Sequence, residues 1–241
     1  MVEPLLVVSA HPGDFVWRAG GALALAASRG QRAVIACLSF GERGESASQW
    51  RAGMNLQQVK EVRREEGESA ADALGAEVRF FDAGDYPLKE TDELLQQLID
   101  LYRELQPGVV LTHAGQDPYN MDHPKAHEIA VKARILAQAP GVTGPGEVLG
   151  APPVFAFEPH QSEVSGFVPQ VLLDITDVWD VKLRAMKSLG AQSHLVDYYT
   201  DLGTRRGVQA KRNSSRNLGL AAHAYAEAFA RLYPQVTGEL A

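Results

Sequence analysis

The sequence predicts an α/β fold, with an open, mostly parallel sheet, helices on both faces and a single domain. Three observations predict it. Short apolar runs rich in valine alternate with longer segments of helical periodicity from Leu5 to Gln138, which is the pattern of consecutive βαβ units. The composition, 45% hydrophobic and 22% charged, is that of a globular protein. A length of 241 residues is enough for one large α/β domain with a buried core.

Four strands and four helices are predicted in the first part of the chain. The strands are buried apolar runs at Leu5–Ser9, Arg32–Phe40, Val78–Phe81 and Val109–Thr112. The helices are alanine-rich or amphipathic segments at Trp17–Ser28, Leu56–Leu74, Glu93–Leu105 and Pro124–Gln138. Gly75 is a stop signal for the second of these helices, and the Pro-Gly pair at 107–108 closes the third.

The second part of the chain is less regular. The segment Pro140–Pro153 is rich in glycine and proline and is predicted to be a loop. Two further strands are predicted at Val154–Phe157 and Val171–Ile175, and two further helices at Asp177–Leu189 and Asn217–Leu232. Thr176 or Asp177 is the expected N-cap of the first of these helices. No composition shift divides the chain, so we expect one domain over residues 1–241.

Charge and cysteine content limit the partners and the compartment. A net charge of −7 and a pI near 5.5 argue against nucleic acid, because phosphates require a cationic surface. Local basic pairs at 205–206 and 211–212 suit a small anionic ligand better. Cys37 is the single cysteine, so no internal disulfide can form, which is typical of the reducing cytoplasm. The sequence shows neither a signal peptide nor a run of about 20 apolar residues, so we expect a cytoplasmic protein without membrane contact.

Polar segments follow each of the first four predicted strands, where ligands bind in open α/β sheets. The segment after the first strand places His11 and Asp14 on either side of a Pro-Gly pair, so both side chains can face one point. Histidine nitrogen and carboxylate oxygen are zinc ligands, although His11 could instead cap the following helix. After the fourth strand, His123 is the favoured third ligand, and His113 and His127 compete with it.

The segment SAHPGDFVWRAGG, residues 9–21, resembles the first motif of the PIG-L (LmbE-like) zinc N-deacetylases, written AHPDDxxxGxGG. Segments at 41–44, 62–77, 80–88 and 172–192 also fit the family pattern. The resemblance implies a Rossmann-like α/β domain. It also implies a metal triad formed by the histidine and second acid of the first motif and the last histidine of an HPDH motif. Those positions are His11, Asp14 and His123 here.

Two positions depart from the deacetylase pattern. The first acid of the family motif, which serves as general base, is Gly13 here, and the first histidine of the HPDH motif is Asn120. A general base contributes about 10²–10⁴-fold to a rate. The metal ligands are therefore retained while both proton-handling groups of a deacetylase are missing.

One branch of the family fits these departures. Segments at 9–21, 38–46, 120–124, 150–161 and 205–214 are similar to the zinc-dependent 4-oxalomesaconate hydratases of gallate catabolism. This resemblance implies addition of water to a carbon–carbon double bond, giving 4-carboxy-4-hydroxy-2-oxoadipate, with one zinc ion per chain in a homo-oligomer. Iron, cobalt or manganese remain alternatives at a site with two histidines and one aspartate.

A hydratase without an acid at position 13 needs another base and anchors for the carboxylates of its substrate. Glu42, just after the second strand, is the first choice for the base and Glu45 the second. The helical stretch 63–66, which carries two arginines and two glutamates, is interpreted as a solvated face, although the family resemblance suggests an R..E element that reaches towards the site. Arginine binds carboxylates with two hydrogen bonds, and further polar groups can assist. The candidate substrate-binding residues are Arg43, Asn120, His160, Arg205, Arg206 and Arg212.

Two other functions remain open at this point. One is a zinc-dependent N-deacetylase acting on an acetylated sugar or small conjugate. The other is a non-catalytic member of the fold that binds a metal or ligand. His160 can either bind substrate or act as an acid, and members of the basic stretch Arg205–Arg216 can close over the substrate.

Overall fold

A computed structural model describes residues 2–214 and 220–238. Its centre is one seven-stranded sheet with the order β3-β2-β1-β4-β5-β7-β6. The strands are β1 (Leu5–Ser9), β2 (Ala33–Cys37), β3 (Glu77–Phe80), β4 (Val109–Thr112), β5 (Val154–Phe157), β6 (Val171–Asp174) and β7 (Ala226–Arg231). The first five strands pair in parallel, and β7 is antiparallel to both β5 and β6. The predicted open, mostly parallel sheet is therefore confirmed.

Helices cover both faces of the sheet. The side chains of β1 alternate between the two cores that these helices form with the sheet. Leu5 and Val7 pack in one core and Leu6 and Val8 in the other, as the two-residue repeat of a strand requires. The helices are α1 (Pro12–Ser28), α2 (Ala47–Arg51), α3 (Leu56–Leu74), α4 (Asp92–Leu105), α5 (Asp122–Ala137), α6 (Ser162–Ser165), α7 (Trp179–Lys187) and α8 (Val196–Asn213). The helices α1, α3 and α7 pack together on one face, and α4 and α5 pack together on the other.

The strand order positions a site at one end of the sheet. The chain runs outward from β1 through β2 to β3, then returns to place β4 on the opposite side of β1. The carboxyl ends of β1 and β4 are thus neighbours at the point where the strand order reverses. In open α/β sheets this is where ligands bind.

The predicted closing helix Asn217–Leu232 is wrong where the structure describes it. Residues 226–231 form the strand β7 between β5 and β6, and residues 217–219 lie outside the described residues. The alanine-rich sequence favours a helix locally, but pairing with two strands overrides that propensity. Glu227 gives the strand a further anchor, since its carboxylate accepts backbone N–H groups of α1 and the ammonium group of Lys182.

Several boundaries also differ from the prediction. The helix α1 begins at Pro12 rather than Trp17, so the metal motif forms its first turn. Neither Thr176 nor Asp177 caps α7, because both belong to a 3₁₀ turn, Thr176–Val178, that precedes it. The helix α8 was not predicted, whereas the loop predicted at Pro140–Pro153 holds no helix or strand. Among the described residues, no helix has the length and apolarity to cross a membrane.

Candidate active site and metal centre

The three predicted metal ligands converge at the carboxyl ends of β1 and β4. His11 is the N-cap of α1, where its backbone N–H donates to Asp14 Oδ2 at 2.9 Å, and Pro12 starts the helix without a free N–H group. This places His11 Nδ1 3.1 Å from Asp14 Oδ2. His123 comes from the first turn of α5, and its Nε2 lies 3.1 Å from Asp14 Oδ1. The helix-cap interpretation of His11 and the metal-ligand interpretation are therefore compatible.

The arrangement suits a divalent metal. His11, Asp14, His123 and Glu45 each offer a ligand atom, and these atoms lie within 4.8 Å of one another. His123 Nε2 is buried and has no hydrogen-bond partner in the described structure, although it faces the Asp14 carboxylate. Two imidazole nitrogens and one carboxylate are the kinds of ligand found in catalytic zinc sites, and Glu45 is a further oxygen donor beside them.

Carboxylates orient the far side of both histidines. Asp117 Oδ2 lies 2.7 Å from His123 Nδ1, while Asp85 and Asp122 lie 3.0 and 3.4 Å from His11 Nε2. Such carboxylate–histidine pairs fix the ring and the tautomer of a ligating imidazole. The carboxylates are themselves held, because Asp85 accepts two backbone N–H groups from the loop after β2 and Asp122 accepts two from the loop after β3.

The charge around His11 is strongly negative. Burial alone would lower the pKa of His11, but Glu45 and hydrogen bonds to Asp122, Asp14 and Asp85 raise it well above its usual value. Burial opposes the ionised form of Asp122, yet His11 and two backbone N–H groups hold its pKa at about 2. A cation bound between these groups would balance the excess negative charge.

The two competing histidines serve other purposes. His113 Nε2 accepts the backbone N–H of Ala10 at 2.9 Å, and the ring stacks on His123 at a centroid distance of 4.3 Å. Burial lowers the pKa of His113 to about 3, so the ring is neutral. His127 Nδ1 donates to the His113 carbonyl at 2.7 Å. His113 Nε2 also lies 3.4 Å from Asp14 Oδ2, but it is occupied by the Ala10 N–H, whereas His123 Nε2 is unpartnered in the described structure and lies closer to Asp14.

The structure places Glu45, rather than Glu42, beside the ligands. Glu45 Oε1 lies 3.4 Å from His11 Nδ1. The Glu42 carboxylate instead accepts the backbone N–H of Phe40 at 3.3 Å and lies 3.8 Å from Lys60 Nζ. It faces a cavity of about 500 Å³ that none of the three predicted ligands lines. Burial raises the pKa of Glu42, but its position does not direct it at the metal site.

Arg63 is a site residue that the sequence analysis assigned to a solvated face. Its side chain is completely buried, and Nη2 donates to Glu45 Oε2 at 3.0 Å while Nη1 donates to Glu66 at 2.6 Å. The neighbours Arg64 and Glu65 are exposed, as predicted. The family resemblance of residues 62–77 was the signal that could have identified Arg63, because the charge pattern alone is that of a surface helix.

Arg18 is a second buried arginine that the sequence analysis did not consider. It lies one helical turn after Asp14, with Nε 3.6 Å from Asp14 Oδ1 and Nη1 3.5 Å from Asp117 Oδ2. Its Nε is buried and has no hydrogen-bond partner in the described structure. The i,i+4 spacing from Asp14 was the available sequence signal. Arg18 places a fixed positive charge next to the predicted metal ligands.

His160 lies among three tyrosine side chains. The His160 ring lies 4.6 Å from Tyr198, 6.2 Å from Tyr199 and 6.1 Å from Tyr119, centroid to centroid. Burial lowers the pKa of His160, and Arg18 lowers it further. The lowered pKa keeps this half-buried imidazole mainly neutral near pH 7, so it must take up a proton before it can deliver one.

The other predicted substrate-binding residues lie in different environments. Asn120 is buried, and its Oδ1 accepts the N–H of Asp122 at 2.9 Å. Arg43 is exposed on the loop after β2. Arg205 is exposed and pairs with Asp201 at 2.9 Å, whereas the Arg206 guanidinium is bound to Glu158. Neither Arg205 nor Arg206 contacts a predicted metal ligand, and Arg216, at the end of the basic stretch, lies outside the described residues.

A side chain at position 13 would displace the end of the Gln192 side chain. A Cβ atom there would lie 2.3 Å from Gln192 Oε1 and 2.9 Å from Trp17 Nε1. Gln192 comes from a 3₁₀ segment, Gly190–Leu195, and its Oε1 accepts from Arg63 Nη2 at 3.3 Å. The space beside the metal motif is therefore filled by an amide that also contacts the arginine holding Glu45.

Comparisons with known proteins agree with this geometry. A family model described as PIG-L: GlcNAc-PI de-N-acetylase matches residues 6–134. A 4-oxalmesaconate hydratase from Pseudomonas putida is 52% identical in an alignment that covers 98% of this chain and 92% of the relative. The crystal structure of GalB, the 4-carboxy-2-hydroxymuconate hydratase of Pseudomonas putida KT2440, superposes with a TM-score of 0.94 at 51% identity over 100% of both chains. A diacetylchitobiose deacetylase from Thermococcus kodakarensis is more distant, with 27% identity over 79% of this chain and 70% of the relative.

Proposed function

The chain belongs to the PIG-L family, and we propose that it is a hydro-lyase that adds water to the double bond of 4-oxalomesaconate in gallate degradation. The observation that carries this proposal is the 52% identity to a 4-oxalmesaconate hydratase across nearly the whole chain. 4-Oxalomesaconate and 4-carboxy-2-hydroxymuconate are the keto and enol forms of one tricarboxylate. The product expected from hydration is 4-carboxy-4-hydroxy-2-oxoadipate.

The residues His11, Asp14 and His123 would hold one zinc ion per chain. When bound, zinc supplies Lewis acidity that polarises an oxygen and makes water easier to deprotonate. The donor set and the unpartnered His123 Nε2 support this assignment. Asp85, Asp117 and Asp122 keep the two imidazoles oriented from behind.

Glu45 is the base in this proposal, in place of the sequence-based first choice Glu42. Its Oε1 faces the ligand cluster, while Oε2 is anchored by the buried Arg63. Glu45 takes a proton from water, the water oxygen bonds to one alkene carbon, and the electron pair of the double bond moves towards the conjugated carbonyl groups. A proton must then reach the neighbouring carbon, and we assign its delivery to the protonated form of His160.

Cations bind the carboxylates of the substrate. Arg18 is the buried candidate, because it lies beside Asp14 and Asp117 with its Nε unpartnered in the described structure. Arg43 is the exposed candidate, and Asn120 can donate from its amide nitrogen. We further propose a cytoplasmic homo-oligomer, which size-exclusion chromatography with light scattering would test.

Metal content provides the first prediction. We expect purified protein to contain about one zinc ion per chain, and Asp14→Asn to contain far less, because one of three ligands loses its charge. Mass spectrometry of the metal measures this directly, and Asp117→Asn is the graded comparison, since Asp117 is not itself a proposed ligand but orients His123 and contacts Arg18. Full turnover by protein stripped of metal with a chelator would contradict the metal assignment.

The second prediction concerns His160. We expect His160→Gln to lower kcat for hydration by about 10²-fold or more, because general acid catalysis contributes about 10²–10⁴-fold. The variant should retain its zinc. In the wild type, an acid must be protonated, so kcat falls as pH rises through the pKa of His160 in the complex. That descending limb should be absent from the pH profile of the variant, and an unchanged profile would exclude His160 as the acid.

A paired assay tests the function as a whole. The protein is incubated with 4-oxalomesaconate and, separately, with N-acetylglucosamine, and loss of the double bond and release of acetate are followed. We expect rapid hydration and no deacetylation, because no acid stands at position 13. If deacetylation were the faster reaction, the protein would be a deacetylase like other members of its family, and the proposed function would be wrong.

A further inference from the structure

Arg206 on α8 is bound on all sides by protein groups. Its Nε donates to Glu158 Oε2 at 2.9 Å, and Nη2 donates to the other oxygen of the same carboxylate. Nη2 also donates to Ser162 Oγ at 3.3 Å, and Nη1 donates to Gln209 Oε1 at 2.6 Å. Every nitrogen of this guanidinium therefore has an acceptor within the protein, which leaves it poorly suited to bind a substrate carboxylate.

The partners of Arg206 lie on either side of His160 in the sequence. Glu158 precedes it by two residues and Ser162 follows it by two, and both are buried. A third contact comes from the same helix, because the backbone N–H of Gln161 donates to Tyr198 Oη at 3.2 Å. The loop carrying His160 is thus attached to α8 before, after and next to the imidazole.

The backbone of this loop requires such support. Gln161 has a φ of +53°, in the left-handed region that side chains other than glycine rarely adopt. A strained residue of this kind persists only where the surrounding contacts hold it. The pairing of Arg206 with Glu158 is bidentate and partly removed from water, which makes it stronger and more directional than a surface ion pair.

From these contacts we propose that Arg206 is a positioning residue that fixes His160 against Tyr198 and Tyr199. This inference rests on the proposed role of His160 in hydration. Losing the guanidinium leaves Glu158 buried without its partner, so the loop shifts and the imidazole leaves its place. The effect then falls on the chemical step rather than on substrate affinity, and the metal ligands are untouched.

Kinetics of zinc-loaded Arg206→Ala and Arg206→Lys separate positioning from substrate binding. We expect Arg206→Ala to lower kcat at least 10-fold, with KM within 3-fold of the wild type and normal zinc content. Arg206→Lys should also have a lower kcat, because one ammonium group cannot replace the bidentate contact with Glu158. Guanidinium ion added to Arg206→Ala should restore part of kcat. Arg184→Ala, an exposed arginine of α7, is the matched control and should match the wild type.

A double-mutant cycle with His160→Gln decides whether Arg206 acts through His160. If it does, the double variant is no slower than His160→Gln alone, whereas independent roles give losses that multiply. Multiplied losses, or a raised KM with unchanged kcat in Arg206→Ala, would overturn the inference.

Should Arg206→Ala fail to fold, Glu158→Gln tests the same contact from its other side. Wild-type kcat in His160→Gln would overturn both this inference and the proposed acid, whereas an impaired His160→Gln with a fully active Arg206→Ala would overturn the inference alone.

Discussion

Replacing Glu45 with glutamine is expected to lower kcat for hydration by about 10²–10⁴-fold, the contribution typical of a general base. The glutamine keeps the size of the side chain and can still contact Arg63, so the fold and the zinc content should be preserved. What it loses is the capacity to take a proton from water beside His11. Steady-state hydration kinetics, with zinc measured on the same samples, provide the readout.

Glu42→Gln is the competing variant in the same experiment. Its carboxylate lies against the Phe40 N–H and Lys60 and faces a cavity that the three ligands do not line. We therefore expect a loss of less than 10-fold. The reverse order, in which Glu42→Gln is inactive and Glu45→Gln is active, would restore the sequence-based first choice and remove Glu45 from the mechanism.

The position of the metal motif could be predicted from the sequence because it depends on local features. A buried strand followed by histidine, proline, glycine and aspartate leads directly into a helix N-terminus, and β1 and β4 are forced together by the parallel topology. His11, Asp14 and His123 all lie within two residues of a helix start. The predicted sheet brings the segments after β1 and β4 together, but local rules placed the start of α1 at Trp17 and favoured His123 without excluding His113 and His127, so the family resemblance completed the triad.

Residues whose role depends on distant partners could not be predicted in the same way. Arg63 lies in a charged stretch of α3, and only the docking of the loop after β2 and of the segment 190–195 buries it. Glu45 became distinguishable from Glu42 through that same contact. The strand β7 was mistaken for a helix because its alanine-rich sequence carries no strand signal until β5 and β6 pair with it. In each case tertiary contacts override the local pattern.

The position of Gln192 joins these long-range contacts to the metal motif. Its Oε1 lies where a side chain at residue 13 would begin, and it accepts from Arg63 and, at 3.4 Å, from Trp17. Arg63 in turn holds Glu45. The absence of a side chain at Gly13 is therefore linked through one amide to the orientation of the proposed base. A substitution at Gly13 should therefore change the orientation of the Glu45 carboxylate, although the two residues are not in contact.

Gly13→Asp is accordingly expected to lower kcat for hydration by about 10²-fold or more. The new side chain would displace Gln192, and its carboxylate would compete with Glu45 for Arg63.

Gly13→Ala separates the effect of size from the effect of charge. It also displaces Gln192, so its free energy of unfolding should fall by about 1 kcal/mol, within the range for overpacking. Arg63, however, keeps Glu45 as its partner. The kcat of this variant should stay within about 10-fold of the wild type, which is a smaller loss than removal of a general base causes. Hydration and deacetylation rates of both variants, with thermal unfolding curves, measure these effects. A Gly13→Asp protein that hydrates as fast as the wild type would show that position 13 and Glu45 are not linked. Strong deacetylation already present in the parent would contradict the assignment of this chain as a hydratase.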